Sequence, residues 1–139
     1  MVYFCLVLAL FNLSLPDTTL NIEKAFLQND PRILYRLFPP DSHLNVSFPE
    51  PISFSDQITN QQAYFLFRKI FSTYTTFEFY SQTQIFVAGP QARIFKARWS
   101  FMDKTDNQHV LQIFFFLSAA GLPGSPEDWR ITEIRAEGL

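Results

Sequence analysis

The side chains of this chain best suited to proton transfer are its two histidines, His43 and His109. An imidazole titrates near neutral pH, so a histidine with a carboxylate or a phenol beside it can act as a general base. The sequence offers Asp41, Tyr35 and Tyr64 as such neighbours for His109. If the fold brings these groups together in a pocket, the chain has what it needs to remove a proton from a substrate.

The segments around these residues favour a simpler interpretation. His109 follows the polar turn DKTDNQ, and a lone histidine beside a turn is usually solvated and without a partner. It also has the strand parity of Leu111, so an inward orientation is the alternative. Asp41 and His43 lie in the loop PPDSH, where Asp is a typical turn former. His109, Asp41 and Tyr35 are therefore weak catalytic candidates, and a domain without catalytic residues is favoured.

Two basic residues, Lys96 and Arg98, share one face of the segment QARIFKARWSFM, whose apolar residues alternate with them. Glu78 and Glu133 lie in neighbouring predicted strands and are within reach. The four charges could form an anion-binding site. Cross-strand ion pairs on the outer face of a sheet are the favoured interpretation, because opposite charges on adjacent strands commonly pair in this way.

Composition argues against several functional classes. The formal net charge is −2 and the basic residues are scattered, which does not suit a nucleic-acid-binding surface. With one cysteine, Cys5, the chain has no cysteine-based zinc site and no intrachain disulfide. Gly121 and Gly124 are followed neither by a lysine nor by a helix, as a phosphate-binding loop requires. We therefore predict no metal, no cofactor and no nucleic acid.

An uncharged apolar run, VYFCLVLALF, occupies residues 2–11. A bilayer span needs about 20 apolar residues, whereas this run has the length of the apolar core of a secretory signal. No basic residue precedes it and no small-residue cleavage site follows it, so a buried first element of the domain is the alternative. We predict a signal peptide at residues 1–15, no stable membrane span, and a secreted or periplasmic domain at residues 18–139.

Helix signals dominate the first half of that domain. Thr18 or Thr19 is predicted to cap a first helix, and Asp30 caps a second that begins at a proline. HLNVSF and ISFSD predict a short hairpin. A capping box, TNQQ, then begins at Thr59 and precedes a helix with one apolar face.

Strand signals dominate the second half. Four apolar segments follow, joined by turns, and the last has a slip in periodicity between Ile131 and Ile134 that indicates a bulge or burial on both sides. The predicted fold class is α+β. Three N-terminal helices pack on a curved, mainly antiparallel sheet, with a short hairpin between helices 2 and 3.

This order of elements resembles the nuclear transport factor 2-like, or cystatin-like, superfamily over residues 18–137. IEKAFLQNDPRILYRLF is similar to its opening pair of helices, and ISFSDQITNQQAYFLFRKIF to its short strand and third helix. VLQIFFFLSAAG and DWRITEIRAE are similar to its last two strands. The resemblance extends to small secreted bacterial domains of unknown function, and it implies a cone-shaped sheet around a pocket.

Members of that superfamily include isomerases, dehydratases and non-catalytic modules that bind ligands or dimerise. Isomerase-type members carry an aspartate base before a proline in the first strand, where this chain has Phe48 in LNVSFPEP. Phenylalanine cannot accept a proton. The resemblance therefore favours a non-enzymatic domain, and the alternative is a hydratase or isomerase that uses His109 or Asp41 in the cone pocket.

Three consecutive phenylalanines in QIFFFLSAAG place apolar side chains on both faces of one strand. Phe115 is predicted to face the helices, and Phe114 and Phe116 the outer face, where a single domain has no further layer to cover them. We predict that a homodimer forms through the outer face and that a small apolar ligand binds inside the cone. The predicted interface residues are Phe114, Phe116, Arg98 and Lys96, and the predicted pocket residues are Tyr35, Phe38, Phe67, Trp99 and Phe115.

Overall fold

The first helix begins earlier than its sequence suggests. In the computed structural model, which describes residues 13–82, 84–120 and 128–139, α1 spans Leu15–Leu27 and its N-cap is Ser14. The predicted cap at Thr18 or Thr19 is wrong, because Ser14 with a proline in the first turn already starts the helix. Thr18 is fully buried instead, and its hydroxyl donates to the Trp129 carbonyl at 2.9 Å.

Residues before α1 are also part of the fold. The Leu13 N–H donates to the Asp128 carboxylate at 2.9 Å, and the Leu13 carbonyl accepts from the Trp129 N–H at 2.8 Å. The predicted domain boundary at residue 18 therefore lies within α1. Residues 1–12, which hold most of the predicted signal peptide, lie outside the described residues.

The other two helices begin where predicted. Helix α2 spans Pro31–Tyr35 with Asp30 as its N-cap. Helix α3 spans Asn60–Thr73, and its capping box is formed in both directions: the Gln62 N–H donates to the Thr59 hydroxyl, and the Thr59 N–H donates to the Gln62 side chain. Because residues close in sequence specify the start of each helix, local capping chemistry is enough to place both starts.

The described residues form seven strands: β1 (Leu44–Phe48), β2 (Phe54–Ile58), β3 (Thr75–Ser81), β4 (Phe86–Gly89), β5 (Ala92–Met102), β6 (Gln108–Ala120) and β7 (Asp128–Gly138). They belong to one sheet with the order β2-β1-β7-β6-β5-β3, and β4 pairs with β5 beside this path. The pairing of β1 with β7 is parallel, and the other pairs are antiparallel. The predicted hairpin between α2 and α3 is present as β1 and β2.

The slip in the last strand is a β-bulge. Phe116 pairs with Glu133 and Leu117 pairs with Ile131, so Thr132 is the extra residue of β7. The bulge lets Ile131 and Ile134 face the same side although they are three residues apart, and both are fully buried. The helices cover this inner face, so the predicted α+β class is confirmed.

Candidate functional site

The interior of the cone is filled around Phe26 of α1. Its ring contacts five others, with centroid distances from 4.7 to 6.2 Å. They come from α3 and from the inner face of the sheet: Phe67, Phe71, Phe79, Trp99 and Phe115. A ring at this position occupies the space that a cone-shaped sheet can otherwise leave to a ligand.

Four of the five predicted pocket residues lie in this core. Phe67, Trp99 and Phe115 are 0% exposed and Phe38 is 2% exposed, so they present no wall to a ligand from solvent. Tyr35, the fifth, lies at the surface and lines a separate cleft. The predicted pocket is thus replaced by packing, since each of these rings gains more contact from its neighbours than an open cavity offers.

Phe48 belongs to the same core. Its ring lies 5.8 Å from Phe67 and 6.3 Å from Trp99 in edge-to-face geometry. The position at which isomerase-type relatives hold a carboxylate base is therefore a packing position in this chain. A carboxylate at this site would be desolvated among aromatic rings.

His109 has a partner, contrary to the expectation of a lone solvated histidine. Its Nε2 lies 2.9 Å from the Asp103 carboxylate, and about a quarter of each side chain is exposed. The ring faces inward, as strand parity allows, and it stacks on Phe101 at 5.3 Å. Tyr74, which follows α3, contacts it edge-on at 6.4 Å. His109 is therefore held at the end of the inner face, with a carboxylate behind it.

Asp103 is fixed by the turn that joins β5 to β6. Its Oδ1 accepts from the Thr105 hydroxyl at 2.7 Å, the Thr105 N–H at 2.9 Å and the Asn107 N–H at 3.0 Å, while Oδ2 faces His109. Hydrogen bonds from His109 first, then from Thr105 and Asn107, hold the pKa of the Asp103 carboxyl well below its usual range.

His109 lines a cleft with the turn between β1 and β2. We name it the rim cleft; its lining residues are Glu50, Pro51, Ser53 and His109, and its volume is about 480 Å³. The Tyr74 hydroxyl lies 3.5 Å from the Pro51 carbonyl and joins this turn to α3. Ser53 has a left-handed backbone, with φ of 54°, which is uncommon for a residue other than glycine. His109 is therefore accessible from the rim cleft.

The other catalytic candidates lie elsewhere. Asp41 and His43 are exposed in the connection before β1. Tyr35 and Tyr64 contact each other edge-to-face at 5.6 Å, and Tyr64 contacts Phe65 at 5.4 Å. We name the surface cleft around them the helix cleft. It has a volume of about 450 Å³ and is lined by Arg32, Tyr35, Gln61, Tyr64 and Phe65.

The outer sheet face, formed by Lys96, Arg98, Phe114 and Phe116, is aromatic but not bare. Phe114 and Phe116 are half-buried, because the Lys96 ammonium lies 5.5 Å above one ring and the Arg135 guanidinium 5.0 Å above the other. Side chains of the same sheet therefore cover part of each ring. In each case a long basic side chain places its charged group over the ring.

The ion pairs on this face agree in part with the predicted cross-strand pairing. Arg98 pairs across strands with Glu78 at 4.0 Å, whereas Glu133 pairs with Arg135 of its own strand at 2.8 Å. The exposed side chains make these pairs weak, so they contribute little to stability.

Neither a metal cluster nor a spanning helix is found in the described part of the chain. No three His, Cys, Asp or Glu side chains there are grouped so that they could hold a metal ion. Among the described helices, none combines the length and hydrophobicity needed to cross a bilayer.

A sheet curved over three N-terminal helices, with β1 parallel to the last strand, defines the nuclear transport factor 2-like, or ketosteroid isomerase-like, fold, and comparison with solved structures confirms it. A ketosteroid isomerase-like protein from Erwinia carotovora atroseptica is similar to this chain at a TM-score of 0.65 and 11% identity, covering 88% of this chain and 91% of that one. A DUF4783 family protein from Bacteroides uniformis reaches a TM-score of 0.66 at 11% identity, covering 86% and 94%.

A third solved structure is that of a protein from Thiobacillus denitrificans assigned to the calcium/calmodulin-dependent protein kinase type II association domains. Its TM-score is 0.68 at 10% identity, with 92% of this chain and 97% of that one covered. No protein-family model and no curated protein matches the sequence. At such identities the likeness establishes the fold alone.

The sequence interpretation missed Asp103 as the partner of His109. The signal was present in DKTDNQH, because an aspartate that accepts from the residues two and four positions ahead folds the chain back on itself. Such a turn brings the residue six positions ahead beside the carboxylate.

Proposed function

We propose that this chain is a non-enzymatic domain that acts by pairing with a second copy of itself through the outer sheet face. The observation that carries the proposal is the aromatic pair Phe114 and Phe116 on a central strand, outside the helical layer. The filled interior supports it, because a domain whose cone holds Phe26 has its adaptable surface on the outside of the sheet.

The charges of this surface suit a two-fold interface. It carries basic residues, Lys96, Arg98 and Arg135, together with the acidic residues Glu78 and Glu133. In a two-fold arrangement each residue meets a copy of the same surface, so a face with both signs can place acidic groups opposite basic ones. Lys96 and Arg135 would exchange their positions over the rings for acidic partners. The association domain with the same fold makes assembly a reasonable property to test.

Light scattering on the purified chain tests the pairing. We expect a dimer at about 50 μM, a concentration generous enough for a working interface. Phe116→Glu should give a monomer, because the new charge faces the partner's rings. Phe65→Glu, at a ring that is 60% exposed in the helix cleft, is the matched control and should stay dimeric. A wild-type chain that is strictly monomeric at this concentration overturns the proposal.

A folding defect in Phe116→Glu would give a monomer for the wrong reason. The paired charge reversal Lys96→Glu with Arg135→Glu changes two exposed or half-exposed side chains and leaves the rings in place. If the fold of this variant, followed by circular dichroism, is intact and its dimer persists, these basic residues are not part of the interface.

We propose further that a small apolar ligand binds in the helix cleft rather than inside the cone. Tyr35, Tyr64 and Phe65 supply ring faces and edges there, and Arg32 and Gln61 supply polar ends. This mixture of apolar walls with a few polar groups is typical of ligand sites. Native mass spectrometry of the chain from its own host should show an added mass. The variant Tyr64→Ala should lose it, whereas Phe116→Glu should keep it.

Secretion is part of the same proposal. The apolar run at residues 2–11 supports export. The intact mass of the chain recovered from its host should then lack an N-terminal segment, and an intact Met1 in the mature protein would contradict export by cleavage.

The alternative is a hydratase or isomerase, and one observation favours it: His109 has a carboxylate partner beside a cleft. Asp41 is exposed and takes no part in that arrangement. Exchange of solvent deuterium into enolisable ketones, present in the wild-type chain and lost in His109→Gln, would support this alternative over the non-enzymatic proposal.

A further inference from the structure

One nitrogen of His109 is occupied and the other is free. The ionised Asp103 carboxylate can only accept, so Nε2 of the neutral ring carries the hydrogen, and Nδ1 is left as an acceptor. No hydrogen bond to Nδ1 is formed by residues 13–82, 84–120 or 128–139. Asp103 thus sets the tautomer of the His109 ring, and Nδ1 remains an unused hydrogen-bond acceptor among the described residues.

The ring that carries this acceptor is held on several sides. Asp103 fixes one edge, Phe101 stacks on a face at 5.3 Å, and Tyr74 contacts the ring edge-on at 6.4 Å. Asp103 is in turn held by the β5–β6 turn through Thr105 and Asn107. A ligand that bonds to Nδ1 therefore meets a ring that has already lost its freedom, which lowers the entropic cost of binding.

The rim cleft around His109 is rich in acceptors. Glu50 adds a carboxylate, and Pro51 a carbonyl whose hydrogen-bond donor is the Tyr74 hydroxyl at 3.5 Å. The Ser53 hydroxyl can accept or donate. The four lining residues include no lysine and no arginine. A site with surplus acceptors and negative charge recognises a cation that donates hydrogen bonds.

We propose that the rim cleft binds a primary ammonium group, which donates to Nδ1 of His109 and is neutralised by Glu50. This site is independent of the proposed pairing, because it lies at the end of the inner face of the sheet. The ammonium can come from a free alkylamine or from the lysine side chain of a peptide, and both present the same three donors on an alkyl stem.

Binding should require the neutral ring of His109. Protonation turns Nδ1 into a donor and adds a positive charge, so the ammonium loses its acceptor and is repelled. The groups facing the ring are Asp103, the Tyr74 phenol and, across the cleft, Glu50; Lys69 lines the adjoining cleft that shares Ser53 and Tyr74.

The test is an NMR titration of the full chain with butylammonium, reading the ring nitrogens of His109 directly. At about pH 8 the ring should be the Nε2–H tautomer, and Nδ1 should shift with saturation in the millimolar range, typical of a small weak ligand. Tetramethylammonium, which has the charge but no N–H, should bind at least roughly tenfold more weakly than butylammonium.

Two variants separate this role from a structural one. His109→Gln keeps a donor near the Nε2 position for Asp103 but lacks the free ring acceptor, and it should lose butylammonium binding while the turn stays folded. His43→Gln, in an exposed loop, is the matched control and should bind as the wild type does. Glu50→Gln should weaken binding severalfold.

Three results would overturn the proposal. The first is the absence of a saturable shift at His109 up to about 50 mM butylammonium, because a dissociation constant above this concentration corresponds to less than about 2 kcal/mol of binding free energy. The second is equal binding of butylammonium by His109→Gln. The third is equal binding of tetramethylammonium and butylammonium by the wild-type chain. Any of them leaves Asp103 and His109 as a clamp for the turn only. A lysine methylamide acetylated at its α-amino group then identifies the source. Tighter binding than butylammonium indicates a peptide lysine, and equal or weaker binding a free amine.

Discussion

Strand β6 carries phenylalanine on both of its faces, and the two faces bury these rings in different ways. On the inner face, Phe115 is 0% exposed and contacts Phe26, Phe79 and Phe95. On the outer face, Phe114 and Phe116 are half-buried under Lys96 and Arg135. The residues are of one type and lie next to one another in sequence, so the difference comes from what each face meets.

The rings on the two faces of β6 differ in how easily they can move. Inner rings are held by other rings in a close-packed core, where moving one requires moving its neighbours. Outer rings are covered by flexible basic side chains, which can leave for a partner at a small cost. The inner face therefore contributes most to stability, and the outer face is the one that the proposed pairing would use.

The largest effect is expected at the centre of the inner face. Phe26→Ala should lower the free energy of unfolding by about 3–5 kcal/mol, because a fully buried ring that contacts five others leaves a cavity. Urea denaturation followed by circular dichroism measures this loss. Phe65→Ala, at a ring that is 60% exposed, is the control and should change stability by less than about 0.5 kcal/mol. A small effect at Phe26 would mean that the interior is loosely packed.

The next largest effect compares neighbours on β6. Phe115→Ala should cost about 3–5 kcal/mol and Phe114→Ala roughly 1 kcal/mol, since only the first ring is fully removed from water. The same denaturation experiment, at a protein concentration low enough to keep the chain monomeric, gives both values. Equal losses of unfolding free energy in the two variants would show that the outer face is packed as firmly as the inner one, so the two faces would not differ in packing.

A smaller effect is expected for the cations above the outer rings. Lys96→Ala and Arg135→Ala should each lower stability by about 0.5–1 kcal/mol, the range for a partly exposed cation over a ring. Lys104→Ala, in the β5–β6 turn, has no ring beneath it in the described contacts and serves as the control. If the apolar stem of Arg135, rather than its charge, stabilises the contact with Phe116, the loss of stability in Arg135→Ala should be nearly the same at high salt.

The smallest effect depends on pH and concerns the end of the inner face. The hydrogen bond with His109, followed by those with the turn, lowers the folded-state pKa of Asp103 below its unfolded value. Its stabilising contribution is therefore present above about pH 4 and is lost as the pH falls through the lower, folded value. Asp103→Asn removes this contribution. The stability difference between wild type and variant should therefore narrow as the pH falls below about 4. A stability difference between wild type and Asp103→Asn that widens below pH 4 would contradict the predicted direction of this effect.

Much of the fold follows from local sequence signals. The capping box at Thr59, the N-cap at Asp30 and the alternation along β5 each involve residues a few positions apart, and the structure has all three. The bulge at Thr132 was detectable for the same reason, because it breaks a two-residue period. The start of α1 was missed because Ser14 was assigned to the signal segment, although its capping chemistry is equally local.

The candidate site was less predictable. Nothing local in QIFFFLSAAG indicates that Lys96 lies over Phe114, since that contact depends on the register of β5 against β6. Likewise, the rim cleft joins His109 to the turn at Glu50, some sixty residues earlier. Contacts of this kind depend on how distant elements are placed, which periodicity does not encode.

The sequence by itself determined the α+β class, the starts of α2 and α3, the two faces of β6 and the presence of phenylalanine at position 48, because caps, alternation and side-chain chemistry act over a few residues. Only the tertiary structure decided that Phe26 fills the cone, that cations cover the outer rings and that His109 has Asp103 as its partner. These depend on close packing in three dimensions. A side chain occupies a space, or reaches a partner, only once elements far apart in the chain have come together.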